Sequence, residues 1–262
     1  MELTQRILTR SGCYQAGRTI TPKGIMVHST GVAQPNPEVF LRLWDDPDAS
    51  ACVHAIVHQG GVIQTLPWNY RAWHAGKPPK GGLSANNTHI SFEILEPAGH
   101  TYQGGVMAGY DAARNAPYFT RVYRNAVELC AFLCRLYGFD PKRDIVDHHE
   151  GCLRDIASNH ADVSHWFPKH NKSMDTLRAD VAALLAGAPE EEASMTQAEF
   201  NTMFATALAA WQQDQQRKSA SSWAQEAWKK AKETGLFDGS APQAPLTREQ
   251  AALVFQRMGL MK

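Results

Sequence analysis

Apolar positions in the first 185 or so residues fall into short runs separated by turn formers. Residues 24–28 (Gly-Ile-Met-Val-His), residues 89–95 and the pair Ile145-Val146 read as strands. Between Val53 and Gln64, two apolar runs flank Gln59-Gly60-Gly61, and Gly-Gly suits a hairpin turn that needs positive φ. Helical spacing takes over at residues 37–45, where Phe40, Leu41 and Trp44 share one face. It returns at residues 118–137, where Val122, Ala126, Leu129, Leu133 and Leu136 recur ahead of a terminating Gly138. Ser173 caps a further helix through Leu177, Val181 and Leu184 to residue 186.

The pattern changes at Gly187-Ala188-Pro189-Glu190-Glu191-Glu192, a small, breaking and charged stretch that marks a boundary. Beyond it, Thr196-Gln197-Ala198-Glu199 is a capping box that predicts a helix. A polar stretch, residues 212–222, separates it from a second helix over 223–234 that Gly235 stops. Thr247-Arg248-Glu249-Gln250 opens a last helix carrying Leu253, Val254 and Met258. The expected organisation is a first domain at 1–187, a linker at 188–194 and a small all-α module at 195–262. A helical module of about 70 residues is near the size where one core becomes marginal, so a partner or self-association is expected of it.

Composition narrows the classes. The chain has 262 residues, 44% hydrophobic and 20% charged, as an ordinary globular protein has. Its formal net charge is zero, and residues 1–187 carry 18 basic against 17 acidic side chains. Neither half has the electrostatic excess of a nucleic-acid or anionic-membrane binder. No run approaches the roughly 18 apolar residues of a membrane span. The start, Met1-Glu2-Leu3-Thr4-Gln5-Arg6, lacks a secretory pattern, so the expectation is a chain held in a cytoplasm until another factor releases it. The five cysteines (13, 52, 130, 134, 152) are odd in number and unevenly spaced, which argues against a disulfide framework and for a reducing compartment.

Candidate chemistry collects at the ends of the apolar runs. His28 closes the first run, His148 and His149 follow another, and Asp162 comes shortly after. Zinc hydrolases use about three protein ligands and leave one position open for water. His28, His148 and Asp162 are the candidate ligands. His149 rivals the second position, and Cys152, His160 and His165 rival the third. Glu93 sits between Phe92 and Ile94, where a carboxylate is costly unless it is paired or faces a cleft. It is the candidate general base, with an outward-facing strand residue as the ordinary alternative. No compact His-Glu-x-x-His motif is present.

Several segments then resemble a known family. Ile25-Met26-Val27-His28-Ser29-Thr30, Val53-His54-Ala55-Ile56-Val57 with Gly61-Val62-Ile63-Gln64, Ala72-Trp73-His74-Ala75-Gly76, Asn86-Asn87-Thr88-His89-Ile90-Ser91-Phe92-Glu93 and Ile145-Val146-Asp147-His148-His149-Glu150-Gly151 occur in the order seen in zinc N-acetylmuramoyl-L-alanine amidases. This is the amidase-2 group, related to peptidoglycan recognition proteins, and the resemblance covers roughly residues 20–185. It implies an α/β fold, a central mixed sheet flanked by helices, with zinc at the floor of a groove. It implies hydrolysis of the amide between the lactyl group of N-acetylmuramic acid and L-alanine in bacterial peptidoglycan. By position, His28, His148 and Asp162 become the zinc ligands and Glu93 the catalytic carboxylate. The tyrosine of another branch would fall at Val53, so the chain is similar to the glutamate branch. His160 stands where many relatives have a lysine, two residues before the third ligand, and would support the oxyanion. His74 and Asn86 would line the peptide groove.

The tail, from Trp223-Ala224-Gln225-Glu226-Ala227-Trp228 through Gly235-Leu236-Phe237-Asp238-Gly239 to Pro245-Leu246-Thr247-Arg248-Glu249-Gln250, resembles a single S-layer-homology-type repeat. That implies wall anchoring, against an alternative of homo-oligomerisation. The combined expectation is a phage endolysin, held in the host cytoplasm until release and then acting on the cell wall, with no nucleic-acid or membrane partner. The rival readings are a non-catalytic peptidoglycan-binding protein and a cytoplasmic amidase recycling anhydromuropeptides.

Overall fold

The apolar runs of the first 187 residues assemble into one six-stranded sheet with helices on both faces. In this computed structural model the described residues are 1–103, 106–187 and 197–261. The elements run β1 (Leu3–Gln5), α1 (Gly12–Gln15), β2 (Gly24–Ser29), α2 (Pro37–Trp44), β3 (Ala55–His58), β4 (Gly61–Gln64), β5 (His89–Ile94), β6 (Thr101–Gln103), β7 (Val106–Ala108), α3 (Ala112–Tyr137), α4 (Pro141–Asp144), β8 (Ile145–Asp147), α5 (His148–Leu153) and α6 (Met174–Gly187). Strand order is β1-β4-β3-β5-β2-β8, mixed as expected. Within this sheet, among the described residues, only the β3–β4 hairpin is antiparallel, and β2 lies parallel between β5 and β8; β6 and β7 form a separate antiparallel pair.

Side-chain alternation sorts the two faces. Ile25, Val27, Ile90, Phe92, Ile94 and Ile145 pack with α3 and α6 in the main core. On the other face, Met26 and Val146 pack with Ala75, Ala85 and Ala157, while Ile56 meets α2 through Phe40, Leu41 and Trp44. Each large side chain removed from water contributes about 1.5–3 kcal/mol, so the central strands are strongly held.

Helix α3 starts six residues before the expected residue 118, at Ala112, because Asp111 caps it through the Arg114 amide. Pro117 lies inside it and is tolerated near the exposed start, where the Ala113 carbonyl it leaves unpaired can reach water. The strands β1, β6 and β7 have three residues each, too short to leave a period.

The cysteine expectation is overturned. Cys13 and Cys52 form a disulfide across 39 residues of sequence. Cys52 is paired with Trp73 in an isolated antiparallel bridge, and Trp73 packs with the Cys13–Cys52 cluster. An odd total says nothing about one pair brought together by folding. The pairing withdraws the cysteine argument for a reducing compartment. Cys130, Cys134 and Cys152 remain free, the first two buried.

The chain divides into two compact units, Met1–Ala188 and Pro189–Lys262. The whole of the expected linker, 188–194, and Thr196 of the first expected capping box lie outside the described residues. In the second unit, α7 (Gln197–Arg217), α8 (Gln225–Glu233) and α9 (Arg248–Arg257) form. The Thr247–Gln250 capping box is present, and the rings of Trp228 and Phe237 stand 5.0 Å apart beside a cavity of about 370 Å³. No described side chain of this unit is fully buried. Among the described residues no helix is long and apolar enough to cross a membrane.

Candidate metal centre and cleft

Parallel pairing places His28 of β2 beside Glu93 of β5 in register. Because Val27 and Phe92 both face α3, their neighbours His28 and Glu93 both turn to the opposite face. On the other side of β2, β8 ends at Asp147, the N-cap of α5. Asp147 accepts from the Glu150 amide while Glu150 reaches back to the Asp147 amide, a capping box present in the sequence as Asp-x-x-Glu. His148 therefore begins α5 and is buried, whereas the adjacent His149 turns outward and is exposed. Arg178 of α6 braces this corner, donating to the Ile145 carbonyl at 3.0 Å and to Glu150. The site thus lies at the carboxyl ends of three parallel strands, where open α/β sheets place their ligands.

Asp162, at positive φ at the start of a 3₁₀ turn (Asp162–His165), closes the group. His28 Nδ1 and His148 Nδ1 lie 3.2 Å apart, His28 Nδ1 lies 3.3 Å from Asp162 Oδ1, and His148 Nδ1 lies 3.1 Å from Asp162 Oδ2. A tetrahedral zinc with bonds of about 2.0–2.1 Å separates its ligand atoms by roughly 3.3 Å. One ligand atom from each residue lies within 4.8 Å of the other two, the carboxylate turns one oxygen to each histidine, and Asp162 Oδ2 is buried with no hydrogen bond, facing only the His148 ring nitrogen. The donor set fits zinc. Burial holds the His28 imidazole below its usual range, in the neutral form a metal ligand needs. Burial alone would raise Asp162, but His28 and His148 hold it well below the usual carboxylate range.

The outer nitrogens are also engaged. His28 Nε2 lies 3.0 Å from His74 Nδ1, and His148 Nε2 lies 3.1 Å from Ser158 Oγ. With both Nδ1 atoms reserved for a metal, each Nε2–H donates outward and fixes its ring. His74 then accepts at Nδ1 and carries its proton on Nε2, which is buried and unpartnered. His74 lines the cleft. Asn86 does not, contrary to expectation: it is buried behind the loop, where its Oδ1 accepts the amides of His74 and Ala75 at 2.8 and 2.9 Å. It holds the Trp73-His74-Ala75-Gly76 turn in place.

Glu93 faces this cleft of about 730 Å³, and its Oε2 is buried without a partner. Burial pushes its carboxyl well above the usual range, and the charges of Asp162 and Glu96 add to the effect. A bound cation would reverse that effect. His160 lies at the exposed rim, its Nδ1 3.1 Å from Ser158 Oγ and 3.3 Å from His148 Nε2. Among the rivals for the third position, neither Cys152 nor His165 joins the ligand group, and His165 instead forms the far wall with Tyr102. That wall rests on Glu96, which together with Tyr102 was missed in the sequence. Glu96 follows an apolar strand like any turn residue, and Tyr102 lies on a three-residue strand.

The family profile described as N-acetylmuramoyl-L-alanine amidase matches residues 18–166, more than half of the chain. A curated relative, the N-acetylmuramoyl-L-alanine amidase XlyA of Bacillus subtilis (strain 168), is 33% identical over 84 residues, which are 31% of this chain and 27% of that protein. The match thus spans about a quarter of the relative's length. The solved catalytic domain of XlyA superposes with a TM-score of 0.51 at 21% identity, covering 69% of this chain and 99% of that one. The Staphylococcus aureus hydrolase AmiA, solved in complex with its ligand, gives a TM-score of 0.53 at 21% identity, covering 71% of this chain and 83% of that one. These two structural likenesses establish the fold.

Proposed function

The chain belongs to the N-acetylmuramoyl-L-alanine amidase family, and we propose that it hydrolyses the amide joining the lactyl group of N-acetylmuramic acid to L-alanine of the peptidoglycan stem peptide. The observation that carries this reading is the meeting of His28, His148 and Asp162 within 3.3 Å of one another beside Glu93 on an open cleft. The three would hold zinc, which supplies Lewis acidity and lowers the pKa of water to about 7. Glu93, with a free oxygen at the cleft, takes the proton of the attacking water. His160 at the rim donates a hydrogen bond to the developing oxyanion. The unpaired Nε2–H of His74 offers the substrate a further donor.

A non-catalytic binder on the same fold has no use for a complete ligand triangle with a carboxylate beside it, so the hydrolase reading is favoured. The helical second unit supports an endolysin arrangement, a catalytic unit followed by a unit that engages the wall or a second copy. On this reading the chain stays in the host cytoplasm until release and then acts at the wall. A recycling amidase for soluble muropeptides would not need the second unit.

The test is digestion of purified peptidoglycan by zinc-loaded and chelator-treated protein, with mass spectrometry of the products. New L-alanine amino termini without new reducing sugar ends, lost on chelation, are expected. New reducing ends instead would overturn the reading. Sedimentation with purified walls, with and without residues 190–262, tests the second unit. Unchanged wall binding without it would count against anchoring.

A further inference from the structure

The far wall of the cleft is a built polar network that the ligand set and Glu93 leave unexplained. The Glu96 carboxylate is completely buried. Its Oε1 accepts from the Gly31 amide at 3.0 Å, and its Oε2 meets His100 Nε2 at 3.0 Å and the Tyr102 hydroxyl at 2.7 Å. His165 Nε2 lies 2.5 Å from the Tyr102 oxygen and 3.6 Å from Glu96 Oε1. Burial alone would raise Glu96, but the neighbouring His165 and the Tyr102 hydroxyl hold it below its usual range, and it is ionised. Burial and the Glu96 charge push the Tyr102 phenol up, so Tyr102 keeps its proton and donates it to Glu96.

That assignment determines the tautomer of His165. The Tyr102 oxygen has given its only hydrogen to Glu96, so His165 Nε2 must carry a proton and donate. Its other nitrogen, Nδ1, is buried and has no partner, yet the residue lines the cleft. In a 3₁₀ turn, residues three apart are eclipsed, so His165 leaves the turn on the same side as Asp162. The ionisable groups around the imidazole are Glu96 and Tyr102 on its Nε2 edge, His100 and Tyr110 behind them, and Asp162 one turn earlier. A carboxylate that holds one edge of an imidazole and leaves the other edge free is the arrangement that orients an acid–base histidine and stabilises its charged form.

We propose that His165 is a further catalytic residue, the acid that protonates the leaving alanine nitrogen, with Glu96 and Tyr102 as its positioning residues. The inference rests on the amidase reading. The water oxygen bonds to the lactyl carbonyl carbon, and one of its protons goes to Glu93. The C–N bond breaks, its electron pair stays on nitrogen, and nitrogen takes the Nδ1 proton of His165 in its imidazolium form, which leaves the neutral Nε2–H tautomer held by Tyr102. Glu93 releases its proton to solvent and His165 regains one, so the sum is water plus amide giving acid plus amine. An amine cannot leave as an anion, whereas a nitrophenolate can, and this difference supplies the test.

The zinc-loaded full chain is assayed on an N-acetylmuramoyl-L-alanyl peptide and on the 4-nitrophenyl ester of N-acetylmuramic acid. His165→Gln keeps a donor at the Nε2 position but has no acid at Nδ1. It should lose at least about 100-fold in kcat on the amide, the scale of general acid catalysis, while the ester rate, KM and zinc content stay within a few-fold of wild type. Equal loss on both substrates, or no loss on the amide, overturns the proposal. A rise confined to KM overturns it too, because His165 would then bind substrate only. If His165→Gln fails to fold, Tyr102→Phe decides: amide-selective loss supports the proposal and unselective change refutes it. A wild-type protein that cleaves neither substrate removes the amidase reading and this inference with it.

Discussion

Replacing His74 by Phe should weaken zinc binding by about 10–100-fold while leaving the metal-free fold as stable as before. His28 Nε2 lies 3.0 Å from His74 Nδ1. With metal bound, His28 Nδ1 must be bare, so its one proton sits on Nε2 and needs an acceptor. The His28 side chain is 2% exposed, so water does not replace that acceptor once an apolar ring fills the place of His74. Leaving a buried N–H unpaired costs about 1–3 kcal/mol. Without metal the penalty disappears, because the proton can move to Nδ1 and face Asp162 Oδ1 at 3.3 Å. The cost therefore falls on the metal-bound state alone, and at about 1.4 kcal/mol per decade it matches the loss usual for an outer partner of a ligand histidine. Competition against a chromophoric chelator measures the affinity, and thermal unfolding of the metal-free proteins checks the fold. Affinity within about twofold of wild type in a folded His74→Phe protein would refute the tautomer argument.

Other perturbations separate the remaining roles. Glu93→Gln should retain zinc by elemental analysis and lose about 10²–10⁴-fold in kcat; near-normal turnover would remove Glu93 from the chemistry. His54 accepts the Ser91 amide at Nδ1 and donates to the Tyr70 carbonyl at Nε2, and burial pushes its pKa down to about 4 from 6.5. The unfolded chain takes up this proton first, so the stability linked to it is intact above pH 6.5 and is lost as pH falls towards about 4. The loss is roughly 3 kcal/mol at about 1.4 kcal/mol per pKa unit, and urea unfolding of wild type and His54→Asn across that window should show a shallower pH slope in the variant. Equal slopes would place the titration elsewhere. Gly76→Ala should lower the melting temperature and the metal affinity together, since φ is +63° there and a Cβ would stand 2.4 Å from Ser158 Oγ, the partner of His148. A variant as stable as wild type would contradict the assigned turn.

The second unit poses a packing problem of its own. Trp211, Leu253, Phe255 and Met258 are each about half exposed, and no described side chain there is fully buried. A small helical unit of this size has little core of its own to hold it.

Much of this protein was legible in the order of its residues. The apolar runs at β2 and β5, the helical period through α3 and the capping box at Thr247 are local signals, because backbone sterics and pairing act over a few residues. So are the positions of His28, Glu93, His148 and Asp162 at the ends of those elements. Folding alone decided the rest. The parallel register that sets His28 against Glu93, the choice of Nδ1 on both histidines, and Asn86 behind the groove wall all depend on contacts between distant segments. So does the Cys13–Cys52 bridge, which a count of cysteines could not foresee. The Glu96–Tyr102–His165 wall joins residues 63 positions apart through one phenol, and no spacing rule encodes it. Chain chemistry settles what each short segment becomes; burial in a shared, close-packed interior settles which segments meet and which atom of each side chain faces the cleft.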